Sequence, residues 1–73
     1  MWIRSQNRMQ IQDVNRFVIE QFETGIYIVG NGCTLGIYST EEKALRVLDG
    51  IQNQIEYKNV EVHQMPQEED VIV

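Results

Sequence analysis

One cysteine, one histidine, one proline and six cationic side chains are all that 73 residues contain of those types. Each scarcity closes off a class of structure or function. With Cys33 alone there is no intrachain disulfide, and Cys33 plus His63 cannot supply the ligand set of a structural zinc site. Six Lys and Arg against eleven Asp and Glu give a net charge of −5, which argues against sequence-independent binding to nucleic acid. No run of 18 apolar residues is present, so no segment reads as membrane-spanning and no membrane partner is expected. Arg4 has no apolar stretch behind it, so the start does not read as a secretory signal. A lone thiol fits a reducing cytoplasm.

What is present is ordinary globular material, 42% apolar and 23% charged. A chain this short buries only about 60% of the surface its unfolded form exposes. Without disulfide or metal, self-association is the remaining common source of extra stability, and a homo-oligomer is expected. Charge is unevenly spread. Arg4, Arg8 and Arg16 face only Asp13 in residues 1–19, whereas Glu61, Glu68, Glu69 and Asp70 stand without a cation in 61–73.

The periodicity predicts a small α+β domain over residues 1–66, followed by an acidic C-terminal tail, 67–73. The domain is expected to hold one antiparallel sheet of about four to five strands packed on one amphipathic helix, in the order β-β-β-β-α-β. The helix is the clearest element. Ser39 and Glu42 have the spacing of a capping box, and Ala44, Val47, Leu48, Ile51 and Ile55 then form one apolar stripe over about 40–56. Gly50 lies beside that stripe, where close approach of another backbone would account for it.

Before the helix, Asn31-Gly32 is a two-residue type I′ turn signal. A regular ladder from that turn pairs Gly30 with Cys33, Ile28 with Leu35 and Ile26 with Ile37. Ile26, Ile28, Cys33, Leu35 and Ile37 then face the helix, and Tyr27, Val29 and Tyr38 share the outer face. Residues 16–22 read as a further strand whose facing depends on the length of the turn at Glu23-Thr24-Gly25. Trp2–Gln6 and Met9–Ile11 read as short strands, and Val60–Met65 as a last one, ended by Pro66.

Chemistry is sparse. Cys33 and His63 are the single thiol–imidazole combination, and an inward thiol on the hairpin is inert. No catalytic residue, metal ligand or cofactor is expected, and the chain reads as a non-enzyme. Gly30-Asn31-Gly32 lacks the lysine of a phosphate loop and opens a strand, so it is turn chemistry. Arg4, Ser5 and Arg8 form a compact cationic stretch, a candidate anion site or else a solvated turn. The outer-face residues Tyr27, Val29 and Tyr38 are the candidate interaction surface, joined by the apolar tip Val71-Ile72-Val73.

Ile3-Arg4-Ser5-Gln6, Tyr38-Ser39-Thr40-Glu41-Glu42-Lys43-Ala44-Leu45-Arg46-Val47-Leu48-Asp49, Ile51-Gln52 and Gln64-Met65-Pro66, in that order, resemble small uncharacterised proteins of phages, prophages and mobile elements of Gram-positive bacteria. Gly50 and the turn around 7–12 depart from that pattern. The resemblance implies an origin and a host bacterial cytoplasm, and no activity. Two functions are then expected to compete. One is a self-associating interaction module that contacts a host or phage protein. The other is a binder that sequesters a small anionic nucleotide and so counters host defence, with Arg4, Arg8 and the tyrosines supplying charge and stacking.

Overall fold

The computed structural model describes residues 1–57 and 61–73. Among them run β1 (Trp2–Arg4), β2 (Ile11–Asp13), β3 (Phe17–Phe22), β4 (Gly25–Gly30), β5 (Cys33–Tyr38), α1 (Glu41–Tyr57) and β6 (Val62–Gln64), with a 3-10 turn at Glu68–Asp70. The class is α+β, as the periodicity predicts. The arrangement within it differs: five strands precede the helix, not four, and with β6 they form two three-stranded sheets, β2-β1-β6 and β3-β4-β5. β1 runs antiparallel to β2 and parallel to β6, so the first sheet is mixed. Val60, the expected start of the last strand, lies outside the described residues.

The turn joining β3 to β4 has two residues, since Phe22 pairs with Gly25, and this sets the facing left open by the sequence. Phe17 and Ile19 pack against the core, and Val18, Glu20 and Phe22 turn outward. The Asn31-Gly32 turn has the two positive φ values of a type I′ hairpin, 51° and 80°. Gly30 pairs with Cys33 and Val29 with Thr34, but Ile28 then meets Gly36. Leu35 is therefore an extra residue, a β-bulge that shifts the rest of β5 by one.

That shift corrects two placements. Tyr38, expected on the outer face, is 1% exposed in the core, and Ile37, expected inside, is 42% exposed. The glycines explain why the bulge is favoured. Gly30 has no side chain, so Leu35 and Val14 fill its place: a Cβ there would lie 2.7 Å from Leu35 Cδ1 and 2.6 Å from Val14 Cγ1. A Cβ on Gly36 would lie 3.0 Å from Tyr38 Cε2, so the Tyr38 ring lies over the bare backbone of Gly36. Regular pairing would bury the smaller Ile37. The bulge buries a full aromatic ring instead, and aromatic rings dominate core energetics.

α1 covers the inner face of β3-β4-β5 with Ala44, Val47 and Ile51, and Leu48 packs at their side. Its cap is Thr40, not Ser39: Thr40 Oγ1 accepts the Lys43 amide at 3.2 Å and its carbonyl accepts the Ala44 amide at 3.2 Å. The stripe is shorter than its pattern suggests, because Ile55 is 48% exposed. A helix of 17 residues is about 25 Å long, against about 20 Å for a six-residue strand, so its last turn overhangs. Among the described residues nothing lies within 4 Å of a Cβ built on Gly50, so none of their backbone approaches it.

Within the acidic segment 67–73, Val71 docks against the core. Val71 is buried with Ile3, Val14 and Met65 in the same core as the helix and the hairpin, while Ile72 and Val73 stay exposed. Ser39 is unavailable for capping because Glu68 takes it: the Ser39 amide donates to Oε1 at 2.9 Å and its hydroxyl to Oε2 at 2.6 Å. Lys43 Nζ donates to the same carboxylate at 2.7 Å. The Lys43 and Ser39 hydrogen bonds hold the Glu68 carboxyl down at about 2, from an ordinary 4.5. A folded-state value below the unfolded one gives stability present above about pH 4.5 and lost as the pH falls toward 2. In Glu68→Gln this part of the acid slope disappears, which urea unfolding at stepped pH between 5 and 2 measures.

Candidate functional site

The inner face of β3-β4-β5 is covered by the helix, and the outer face has no second layer among the described residues. Alternation along the three strands puts Val18, Glu20, Phe22, Tyr27, Val29, Thr34 and Ile37 on that outer face. Phe22 is 53% exposed and stands edge-on to Tyr27 with ring centroids 4.8 Å apart. The Tyr27 hydroxyl is 2.6 Å from Thr24 Oγ1, which fixes the ring near the turn. Tyr27 and Val29 are half-buried by their neighbours only. Of the residues singled out from sequence for this surface, Tyr27 and Val29 are in place, and Ile37 occupies the position expected for Tyr38. The facing of Phe22 is left open by the sequence and set by the two-residue turn, whereas for Ile37 the sequence signal is Gly36 inside a strand, since an interior glycine commonly marks a bulge.

The two edges of this sheet are treated differently. On the β5 side the chain plugs its own edge. The Gln6 amide donates to the Leu35 carbonyl at 2.7 Å, and the Gln6 side chain acts as a surrogate peptide: Oε1 accepts the Ile37 amide at 2.9 Å and Nε2 donates to the Ile37 carbonyl at 3.1 Å. On the β3 side nothing pairs among the described residues. The open strand Phe17–Phe22 contains no lysine, proline or glycine, the residues that usually blunt an edge. Arg16, Val18, Glu20 and Val29 border a shallow depression of about 290 Å³ beside it.

The other sheet exposes Trp2, Ile11 and Val62. There, charges interrupt the apolar side chains: Asp13 stands opposite Trp2, and Arg4 opposite Ile11. The β3-β4-β5 face, with Glu20 as the one charged residue within its strands and Arg16 at its margin, is the more continuous apolar surface.

At the candidate anion site the turn's polar groups are bonded to one another. Ser5 is buried, its hydroxyl donating to Asn7 Oδ1 at 2.7 Å and accepting the Gln10 amide at 3.2 Å. The turn amides are spoken for as well, Arg8 N by the Ser5 carbonyl and Met9 N by Asn7 Oδ1. Arg4 Nε donates to the Arg8 carbonyl at 3.2 Å. The turn backbone and the Ser5 hydroxyl are thus satisfied within the turn, with Arg8 at φ 68°.

An open cleft of about 370 Å³ lies between α1 and the C-terminal segment, bordered by Arg46, Gly50, His63, Asp70, Val71 and Ile72 among others. Burial pushes the His63 imidazole below its usual range, and its Nε2 has no hydrogen-bond partner. Cys33 sits on the hairpin, half-buried and without a hydrogen bond to His63. Among the described residues no group of three or more His, Cys, Asp and Glu is placed to hold a metal ion, and no helix is long and apolar enough to cross a membrane.

Comparisons with protein-family models, curated proteins and solved structures yield no match.

Proposed function

We propose that this chain is a non-enzymatic, self-associating protein-interaction module that uses the open side of β3-β4-β5 as its contact surface. One observation carries the reading: a sheet whose inner face is closed by the only helix among the described residues presents Phe22, Tyr27, Val29 and Ile37 to solvent on the other. Apolar area of this kind, continuous and rigidly backed, is what protein interfaces are built from. The resemblance of the Ile3–Gln6, Tyr38–Asp49 and Gln64–Pro66 segments to mobile-element proteins supports a phage origin and a host or phage protein as further partner.

Size-exclusion chromatography with light scattering tests the reading. Dimers or larger species are expected at high micromolar concentration, and a strict monomer there overturns it. Phe22→Lys or Ile37→Lys is expected to weaken association about tenfold or more. Taking a half-exposed ring out of water is worth roughly 1–1.5 kcal/mol, and a symmetric dimer carries the change twice. Ile11→Lys, on the other sheet, is expected to leave the association constant unchanged.

A further inference from the structure

The geometry points to a second copy of this chain as the occupant of the β3 edge, paired antiparallel about a two-fold axis at Val18 to make one continuous six-stranded sheet. This rests on the self-association proposed above and adds to the face contact a second contact along the β3 edge, which leaves Phe22, Tyr27, Val29 and Ile37 of both copies on one continuous outer face.

The argument starts from which backbone groups face outward. Gly30 and Cys33 close a two-residue turn, so they form a hydrogen-bonded pair, and alternation along β4 aims Val29, Tyr27 and Gly25 at β3. Their partners Val18, Glu20 and Phe22 are thereby occupied. Phe17, Ile19 and Gln21 are left with amide and carbonyl directed away from the sheet. An antiparallel copy that satisfies them sets odd residues opposite odd residues and keeps the two helix-covered faces on the same side.

Three two-fold registers meet that condition near the middle of the strand, and side-chain chemistry separates them. With the axis at Glu20, two carboxylates oppose one another. With the axis at Ile19, Arg16 stands opposite Phe22, and Glu20 opposite Val18. With the axis at Val18, Arg16 of each copy stands opposite Glu20 of the other, on the outer face, twice. On the inner face the same register sets Phe17 opposite Ile19, twice, so two half-buried apolar side chains extend the core across the junction. Arg16 and Glu20 are exposed, and neither has an ion-pair partner among the described residues. Directly opposed unlike charges stabilise a sheet and like charges destabilise it. The β5 edge cannot compete as a docking strand, because Gln6 already fills it. A two-fold pairing uses up both β3 edges and so closes the edge contact at two copies.

The test is a charge swap on the full chain, read by light scattering with circular dichroism as the check on folding. Arg16→Glu and Glu20→Arg, each alone, are expected to weaken dimerisation about tenfold, and the double swap to restore it. In a Cys33→Ser background, Val18→Cys is expected to form a covalent dimer on mild oxidation, because residues on the axis form a non-hydrogen-bonded pair with Cα atoms about 4.5 Å apart, within disulfide reach. Glu20→Cys is expected not to, being opposite residue 16. A dimer that ignores the swap, or that cross-links at 20 and not at 18, overturns this register and leaves the self-association standing. A wild-type chain that stays monomeric at high micromolar concentration overturns both.

Discussion

Tyr38→Ala is expected to lower the melting temperature by about 15 °C or more, and Tyr38→Phe by only about 4–8 °C. The ring is 1% exposed, lies across Gly36, and belongs to the cluster that includes Ile3, Ile28, Ala44 and Met65. Deleting a buried aromatic side chain costs about 3–5 kcal/mol, because the surroundings close only partly over the void. A chain of this length has roughly 4–11 kcal/mol in total, and each kcal/mol moves the midpoint of so small a domain by about 4–8 °C. The hydroxyl contributes less. It donates to the Pro66 carbonyl at 2.8 Å, and that carbonyl also receives Gln6 Nε2 at 3.3 Å, so Phe leaves no buried acceptor orphaned. Ile37→Ala is the control, expected to cost under 1 kcal/mol at a half-exposed site. In a regular hairpin the two alanine results would exchange places. Thermal melts of the three variants therefore decide whether the bulge at Leu35 exists.

The same burial gives an alkaline signature. Desolvation, helped by the negative charge of Glu68, pushes the Tyr38 phenol well above its ordinary 10. A folded-state value above the unfolded one gives stability that is complete below about pH 10 and falls as the pH rises further, since only the unfolded chain ionises there. Tyr38→Phe removes that loss.

How far the sequence could be read follows from what kind of signal each element carries. The helix and the Asn31-Gly32 turn were legible because their signals are local: an apolar period of 3.6 for Ala44, Val47 and Ile51, and two positions that need positive φ. The register beyond the turn was not, because a bulge is chosen by distant packing, here Val14 and Leu35 converging on Gly30. Ile37 and Tyr38 are adjacent apolar residues, so alternation admits either as the inward one, and Gly36 was the one local hint. Capping shows the same competition. Ser39 and Thr40 are both good N-caps, and Glu68, 29 residues away, decides between them by taking Ser39. The ties between the two sheets are likewise invisible in the sequence, because they run through glutamines. Gln6, Gln64 and Gln67 cross-link the Ser5–Gln6 segment after β1, β5 and the C-terminal segment through backbone carbonyls, and no periodicity announces a glutamine as a surrogate strand.

Gln6 consequently carries the second large effect. Its amide works in both directions, with Oε1 accepting from Ile37 N and Nε2 donating to the carbonyls of Ile37 and Pro66. Gln6→Ala removes these bonds and is expected to cost about 1–2 kcal/mol. Gln6→Glu, nearly isosteric, is expected to cost more at pH 7, about 2–4 kcal/mol. A carboxylate can still accept from Ile37 N, but it sets a charged oxygen against two carbonyls at roughly donor distance. Protonation restores a donor, so the carboxyl in this variant titrates above its unfolded value, and its excess cost relative to wild type shrinks as the pH falls toward 4.5. The alanine variant shows no such recovery, and urea unfolding at pH 7 and 4.5 separates the two. Assembly provides an independent readout. With β5 unplugged the sheet has two open edges, and β3 of one copy can add to β5 of the next without closing. Light scattering of Gln6→Ala is then expected to rise past the dimer with concentration. An alanine variant that keeps wild-type stability and mass would show that the Gln6 side chain does not guard the edge.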